Sequence, residues 1–173
     1  PIPVSCLTAT AKPAVINDIK NYFINTLNLQ LEEVFVDSAR TNLEYTIYTC
    51  EDERGKIDHL ADLISRESGP VIVYCSRTAT TLAVAEKLHD YKIQSAVYHG
   101  KLSSEDKKRN MKLFMDGEVN VAVATNAFGM GVDKDDVSLV VHYDMPSSLE
   151  NYAQETGRAG RDPRIEAKCC LLF

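Results

Sequence analysis

The chain has 173 residues, of which 45% are hydrophobic and 25% are charged. This composition is that of an ordinary globular domain, which excludes a disordered chain, and no apolar run is long enough to span a membrane. The net charge of −6, from 19 basic and 25 acidic side chains, argues against non-specific coating of nucleic acid but leaves a local basic groove possible.

Cysteine usage and the chain ends indicate the setting of the protein. The five cysteines are an odd number without a C-x-x-C pair, so we expect buried, reduced thiols and no zinc. They are Cys6, Cys50, Cys75, Cys169 and Cys170. No secretory leader precedes the first apolar run, which favours a bacterial cytoplasm or a eukaryotic nucleus. A start without Met and an apolar end suggest a piece of a longer polypeptide.

Apolar runs alternate with amphipathic segments from end to end, which is typical of an α/β fold with an open, mainly parallel sheet and helices on both faces. Most predicted strands are Val-rich and continuous, as strands buried on both faces are. In chain order we predict a strand at 4–7, a helix at 13–27, strands at 34–36 and 43–49, a helix at 54–65, a strand at 71–75, a helix at 78–90, a strand at 95–98, a helix at 103–115, strands at 119–124 and 139–143, a helix at 148–157 and a strand at 168–173.

Polar residues follow several predicted strands, where open parallel sheets bind their ligands. Ser76 and Arg77 stand at a helix start whose free N–H groups could meet a phosphate, although a simple helix cap with an exposed arginine would look the same. His99 follows the next strand and is by itself more typical of a structural histidine. Lys101 begins a basic cluster that could follow a nucleic-acid backbone by charge, although its other members could equally form a solvated helix face. Those members, on the predicted helix at 103–115, are Lys107, Lys108, Arg109 and Lys112.

A small-residue loop follows the predicted strand at 119–124. Thr125 and Asn126 begin this loop, which contains Gly129 and Gly131 and closes on Asp133. The loop could place a nucleic-acid phosphate on its first two residues, and its carboxylate could meet a ribose hydroxyl.

The segment Gln154–Asp162 carries Arg158 and Arg161 three residues apart, which predicts that both lie on one helical face. A guanidinium stays charged and matches phosphate oxygens with a planar fork of donors, so this pair suits the end of a triphosphate. A solvated arginine-rich turn at a helix end is the alternative. The chain contains no G-x-x-x-x-G-K-[ST] phosphate loop.

These motifs resemble a known family. Residues 124–134 and 154–162 look like motifs V and VI of the RecQ family of superfamily 2 DNA helicases. Residues 5–11 are similar to motif III, residues 40–43 to the R-x-N-L element and residues 73–77 to motif IV, while residues 98–100 fit the next family element. The resemblance therefore covers nearly the whole chain.

The resemblance implies a RecA-like fold of the P-loop NTPase type, without its own Walker A motif. Residues 1–50 would be the end of the first RecA-like lobe and the inter-lobe connector, and residues 51–173 would be the second lobe. Two such lobes would enclose ATP and move single-stranded DNA in the 3′ to 5′ direction. ATP and Mg²⁺ would be bound mainly by the first lobe, so this fragment alone would be inactive.

The resemblance also implies roles for individual residues. Arg161 would be the arginine finger, with Arg158 beside it and Gln154 orienting the site. Asp133 and Gly131 would contact the nucleotide. The DNA contacts would be Ser76, Arg77, His99, Lys101, Thr125 and Asn126, and Thr8 and Thr10 would couple the lobes. Lys101 and the Asp162-Pro163 pair depart from the usual family pattern, which puts one DNA contact and the exit from motif VI in question.

Three other functions fit the sequence less well. A lobe of a superfamily 2 RNA helicase would share the fold, and comparing DNA with RNA unwinding would decide between them. A non-catalytic adaptor could also keep this fold and bind single strands or another protein. A small-molecule enzyme with a flavodoxin-like sheet would need an acid, base or nucleophile constellation that the sequence does not offer.

Overall fold

The structure is a computed structural model that describes residues 4–7, 12–34, 40–129 and 132–173. It divides into two compact units, Pro1–Arg40 and Thr41–Phe173. The first unit contains helix α1, Pro13–Leu27, with the bounds predicted from the sequence. A proline in its first turn starts the helix, and Asn28 ends it in the left-handed conformation at a φ of 49°.

Two predicted strands of the first unit have a different outcome. Residues 4–7 carry no regular secondary structure, so the strand predicted at Val4–Leu7 is wrong. A strand needs a neighbouring backbone to accept and donate its hydrogen bonds, and Leu7 is instead 94% exposed. The strand predicted at Val34–Val36 extends into residues outside the described ranges.

The second unit contains a six-stranded sheet in the order β1-β6-β5-β2-β4-β3, in which every neighbouring pair is parallel. This confirms the predicted α/β architecture. The strands are β1 Leu43–Tyr48, β2 Val71–Tyr74, β3 Ser95–Tyr98, β4 Val121–Ala124, β5 Leu139–His142 and β6 Ala167–Leu172. The helices are α2 Glu53–Ser65, α3 Thr78–Asp90, α4 Ser104–Met115 and α5 Leu149–Thr156.

Strand β1 belongs to the sheet, because it pairs with β6 along its whole length. The second compact unit therefore includes β1 and begins at Thr41. The lobe boundary at 50/51 that the family resemblance implies stays a prediction. Serine caps start two of the helices, α4 and α5. The side chains of Ser103 and Ser148 accept hydrogen bonds from backbone N–H groups three residues later, at 3.0 and 3.1 Å.

The core consists of two apolar clusters formed by alternating residues of the buried strands. Strand β2 contributes Val71 and Val73 to one cluster and Ile72 and Tyr74 to the other. Three cysteines are buried in this unit, whereas Cys6 is exposed, contrary to the expectation of buried thiols throughout. Within the described ranges, no helix combines the length and the hydropathy that crossing a membrane requires.

Candidate functional site

Ser76 and Asp144 meet at the carboxyl ends of two adjacent strands. Ser76 lies two residues after the end of β2, and Asp144 lies two residues after the end of β5. The backbone N–H and the hydroxyl of Ser76 both donate to Asp144 Oδ2, at 2.7 and 2.8 Å. A phosphate oxygen only accepts hydrogen bonds, so Ser76 cannot donate to one while Asp144 holds both of its donors. Sequence reasoning missed Asp144, although it follows a predicted strand as Ser76 does.

A cavity of about 130 Å³ lies beside this pair. Its lining includes Ser76, Asn126, His142, Asp144 and Glu155. Two of these side chains are carboxylates, and none of the described residues that line the cavity is Lys or Arg. The cavity walls therefore provide no fixed positive charge for a phosphate.

His142 and Glu155, which both line this cavity, form a pair that the sequence did not suggest. His142 Nε2 lies 2.8 Å from Glu155 Oε2, and the imidazole is 1% exposed. Its ring stacks on Tyr74 at a centroid distance of 5.4 Å. Burial raises the pKa of the Tyr74 hydroxyl, which stays protonated and donates to the carbonyl of Phe128 at 3.2 Å. These contacts connect β2, β5 and α5 with the loop after β4.

The predicted DNA contacts in and near the loop after β4 differ in their exposure to solvent. The backbone N–H of Thr125 donates to the carbonyl of Tyr98 at 3.0 Å, which places this loop beside the segment after β3. Thr125 and His99 are buried, with 8% and 6% exposure. The exposed members of the predicted set are Ser76, Arg77, Lys101 and Asn126.

The basic cluster on α4 is partly neutralised by its neighbours. Arg109 pairs with Asp106 at 2.8 Å, and Lys112 pairs with Asp116. Lys107 donates to the carbonyl of Gly100 at 2.6 Å. These contacts favour the interpretation of this surface as a solvated helix face.

Arg158 and Arg161 do not lie on one helical face, so that expectation is wrong. Helix α5 ends at Thr156 because its last turn tightens: the N–H of Ala159 donates to the carbonyl of Thr156 at 3.0 Å. The next N–H, that of Gly160, has its acceptor outside the helix and donates to the carbonyl of Val137 at 2.8 Å. Gly160 itself has a φ of 47°, in the left-handed region that favours glycine.

Arg158 turns towards the loop after β4. Its Nη2 donates to the carbonyl of Gly129 at 2.5 Å, and its Nη1 donates to the carbonyl of Val132 at 3.4 Å. The half-buried guanidinium thus contacts the loop on both sides of residues 130–131. This contact is one that the arginine spacing could not reveal, because both acceptors are backbone carbonyls.

Arg161 is presented on a turn that is fixed by hydrogen bonds on both sides. The side-chain amide of Asn42, from the predicted R-x-N-L element, donates to the carbonyls of Gly160 and Ile165 at 2.9 and 2.7 Å. The N–H of Asp162 donates to the carbonyl of Asp135 at 3.1 Å. The guanidinium of Arg161 forms an ion pair with the carboxylate of Asp133.

Arg161 lies near one end of the strands, and the predicted DNA contacts Ser76 and Asn126 lie near the other. The turn of Arg161 bonds to Val137, which precedes β5, and to Asn42, which precedes β1. Ser76 and Asn126 instead follow the carboxyl ends of β2 and β4. Gln154 is exposed on α5, and the predicted contacts at Thr8, Thr10 and Gly131 lie outside the described residues.

The fit of the described residues to a nucleotide and its metal is unequal. Arg161 offers a guanidinium for a phosphate, and the 82% exposed carboxylate of Asp133 could accept from a hydroxyl. Among the described residues, no group of three or more His, Cys, Asp or Glu side chains is arranged to hold a metal ion. A Mg²⁺ ion held by one or two carboxylates together with the phosphates of the nucleotide would not need such a group.

Comparison with known proteins identifies the family of the chain. The helicase conserved C-terminal domain family matches residues 55–163. The "ATP-dependent DNA helicase RecQ" proteins of Pasteurella multocida and Bacillus subtilis are 37% and 36% identical over 99% and 98% of this chain, and over 26% and 28% of their own lengths. The chain thus spans about a quarter of the curated relatives that it matches.

A solved structure shows the same fold. "S. cerevisiae Dbp5 bound to RNA and ADP BeF3" superimposes with a TM-score of 0.77 at 27% identity, over 96% of this chain and 44% of that one. The predicted RecA-like lobe architecture is thereby confirmed.

Proposed function

Since the chain belongs to the helicase conserved C-terminal domain family, we propose that it is the second RecA-like lobe of a RecQ-type ATP-dependent DNA helicase. The relatives named RecQ support a DNA helicase. Residues 51–173 would form the second lobe, and residues 1–50 would contain the end of the first lobe and a connector whose strand β1 joins the sheet of the second lobe. The complete enzyme would move along single-stranded DNA in the 3′ to 5′ direction.

The observation that carries this proposal is the position of Arg161 on a fixed turn at the surface. A turn held by Asn42 and Val137 fixes its backbone, while its guanidinium lies at the surface beside Asp133. A guanidinium carried at the surface on a fixed backbone turn suits an arginine finger, which stabilises the charge that develops on a transferred phosphoryl group. Arg161 would act on ATP held mainly by the first lobe, and Asp133 and Gly131 would contact the same nucleotide.

Arg158 has a supporting role in this proposal. Its bonds to Gly129 and Val132 support the loop that ends at Asp133, so it would position the nucleotide contact without touching phosphate. Gln154, exposed on α5, would orient the site. ATP and Mg²⁺ would be bound mainly by the first lobe.

The DNA track would run over the carboxyl ends of β2, β3 and β4. Arg77, Lys101 and Asn126 would contact the backbone directly, because they are exposed. Thr125 and His99 are buried, so their main role would be to support the loops that carry the exposed contacts. Because Asp144 accepts from both donors of Ser76, Ser76 would contact DNA only through a group other than a phosphate oxygen. Thr8 and Thr10 would couple the two lobes.

The arginine finger is tested in the intact helicase by Arg161→Ala. We expect DNA-stimulated ATP hydrolysis to fall by roughly 1,000-fold or more, as removal of such fingers does. Arg164→Ala is the matched control, because Arg164 is an exposed arginine that pairs with Asp162 in the same segment. Full ATPase activity of Arg161→Ala would refute the finger, and the 173-residue chain alone should hydrolyse ATP negligibly.

A second candidate is a lobe of an RNA helicase, because the similar Dbp5 structure is described as bound to RNA. Unwinding of matched DNA and RNA duplexes by the intact enzyme separates the two. The DNA proposal predicts faster unwinding of a DNA duplex with a 3′ single-stranded tail. Unwinding confined to RNA would favour the second candidate.

A further inference from the structure

We propose that Asp133 is a positioning residue that pairs with Arg161 in the nucleotide-free lobe and releases it when ribose hydroxyls occupy the Asp133 carboxylate. The inference rests on the proposed function, since it takes Arg161 as the finger and Asp133 as a nucleotide contact. It adds a partner exchange between these two residues. Recognition of the sugar would then control the availability of the guanidinium for the terminal phosphate.

The ion pair joins two backbone segments that are each fixed by other contacts. Asp133 directly follows Val132, which is buried and whose carbonyl accepts from Arg158. Arg161 is flanked by Gly160 and Asp162, and both of those N–H groups donate to backbone carbonyls. An exposed ion pair usually contributes little because two long side chains must be ordered. Here the two backbones already bring the charges together.

The neighbouring carboxylates do not replace Asp133 in this contact. Asp136 lies 3.3 Å from the ammonium of Lys134, and Asp135 contributes its backbone carbonyl to the turn. The contact of Arg161 is with the Oδ1 atom of Asp133. The side chain of Asp133 is 82% exposed, so a ligand can reach it.

A nucleotide offers each member of the pair a substitute partner. Ribose hydroxyls can donate to the carboxylate of Asp133, and a phosphate oxygen can accept from the guanidinium of Arg161. A nucleotide without ribose hydroxyls supplies only the second partner. The carboxylate then stays on Arg161 and competes with the phosphate, so loss of the hydroxyls lowers kcat as well as raising KM.

The test compares ATP with 2′,3′-dideoxy-ATP in the intact helicase at saturating DNA. In the wild type we expect kcat to be about two- to fivefold lower with the dideoxy nucleotide, the range that a surface ion pair can supply. In Asp133→Asn the ratio of the two kcat values should approach one. Asp135→Asn removes the same charge two residues away and should keep the wild-type ratio.

Two results would overturn the exchange: a wild-type kcat that is the same for both nucleotides, or an Asp133→Asn ratio equal to that of the wild type. The ion pair itself has a separate readout in the 173-residue chain, where the NMR signal of the Arg161 Nε–H group should shift in Asp133→Asn and not in Asp135→Asn. An unchanged signal would also overturn the proposal. Failure of the finger would appear differently, as full activity in Arg161→Ala.

Discussion

Gly160 shows how one residue fixes the geometry of the Arg161 turn. Its φ is 47°, and a Cβ added at this position would lie 2.8 Å from the side-chain amide of Asn42 and 2.9 Å from the carbonyl of Ile165. The same amide and the same carbonyl form the hydrogen bond that closes the turn. The position therefore requires glycine for two reasons, the backbone conformation and the close approach of polar atoms.

These two reasons can be separated by comparing Gly160→Ala with Gly117→Ala. Gly117 also has a positive φ, 74°, but an added Cβ there would have no atom within 4 Å. We expect Gly117→Ala to cost about 1 kcal/mol from left-handed strain alone. Gly160→Ala should cost roughly 1 to 3 kcal/mol more, because the Cβ must displace fixed polar atoms. Urea unfolding of the 173-residue chain measures both, and equal losses would show that the close approach is unimportant.

At the scale of elements, Arg158 connects the turn after α5 with the loop after β4. Its two hydrogen bonds to backbone carbonyls lie in a half-buried setting, where a charged donor contributes more than a neutral one. We infer that the loop depends on this side chain for its order. The consequence for function is indirect, since the same loop carries Asn126 at one end and Asp133 at the other.

Arg158→Met keeps much of the side-chain volume and removes the donors. We expect a loss of about 1.5 to 3 kcal/mol in the free energy of unfolding, the range for hydrogen bonds from a charged group. Amide hydrogen exchange in the described loop residues 125–129 and 132–134 should become faster by more than exchange in β2, which should accelerate only as far as the loss of global stability requires. Arg164→Met is the exposed control. Unchanged exchange in the loop would contradict the positioning role of Arg158.

The elements of the fold were largely predictable because their signals are local. Helices α1 and α3 have the predicted bounds, and capping serines and apolar runs place the other helices and the sheet strands within about two residues. The strand predicted at Val4–Leu7 failed because an apolar run does not supply its own pairing partner. The predicted helical face for Arg158 and Arg161 failed because Gly160 directs its N–H to Val137.

The side-chain partnerships of the site were much less predictable than its location. The rule that ligands gather after parallel strands pointed to Ser76 and Asn126, which do line one cavity. The partner of Ser76 lies 68 residues away, and only the strand order places β5 beside β2. The pairing of His142 with Glu155 likewise depends on how α5 packs over β5. Such contacts follow from topology, which the spacing of one sequence does not reveal.

At the scale of the whole molecule, the buried thiols make the stability of the sheet sensitive to alkaline pH. Cys75 and Cys170 belong to the same core cluster, and burial raises their pKa values to about 12 and about 11. In the unfolded chain a thiol ionises near its ordinary pKa of 9.0. Between these values the folded protein binds more protons than the unfolded chain. The contribution of the two thiols to the free energy of unfolding is therefore fully present below about pH 8 and decreases as the pH rises.

The expected size of this effect follows from the same linkage. At pH 10 each buried thiol should lower the free energy of unfolding by about 1.4 kcal/mol relative to neutral pH, so the two together should account for about 2 to 3 kcal/mol. Urea unfolding of the reduced 173-residue chain at pH 7.5 and pH 10 measures the loss. The double variant Cys75→Ala, Cys170→Ala will be less stable at both pH values because it leaves small cavities. The loss of stability of this variant between the two pH values should nevertheless be about 2 to 3 kcal/mol smaller than that of the wild type, since alanine does not ionise. An equal loss in both proteins would show that other groups cause the alkaline sensitivity.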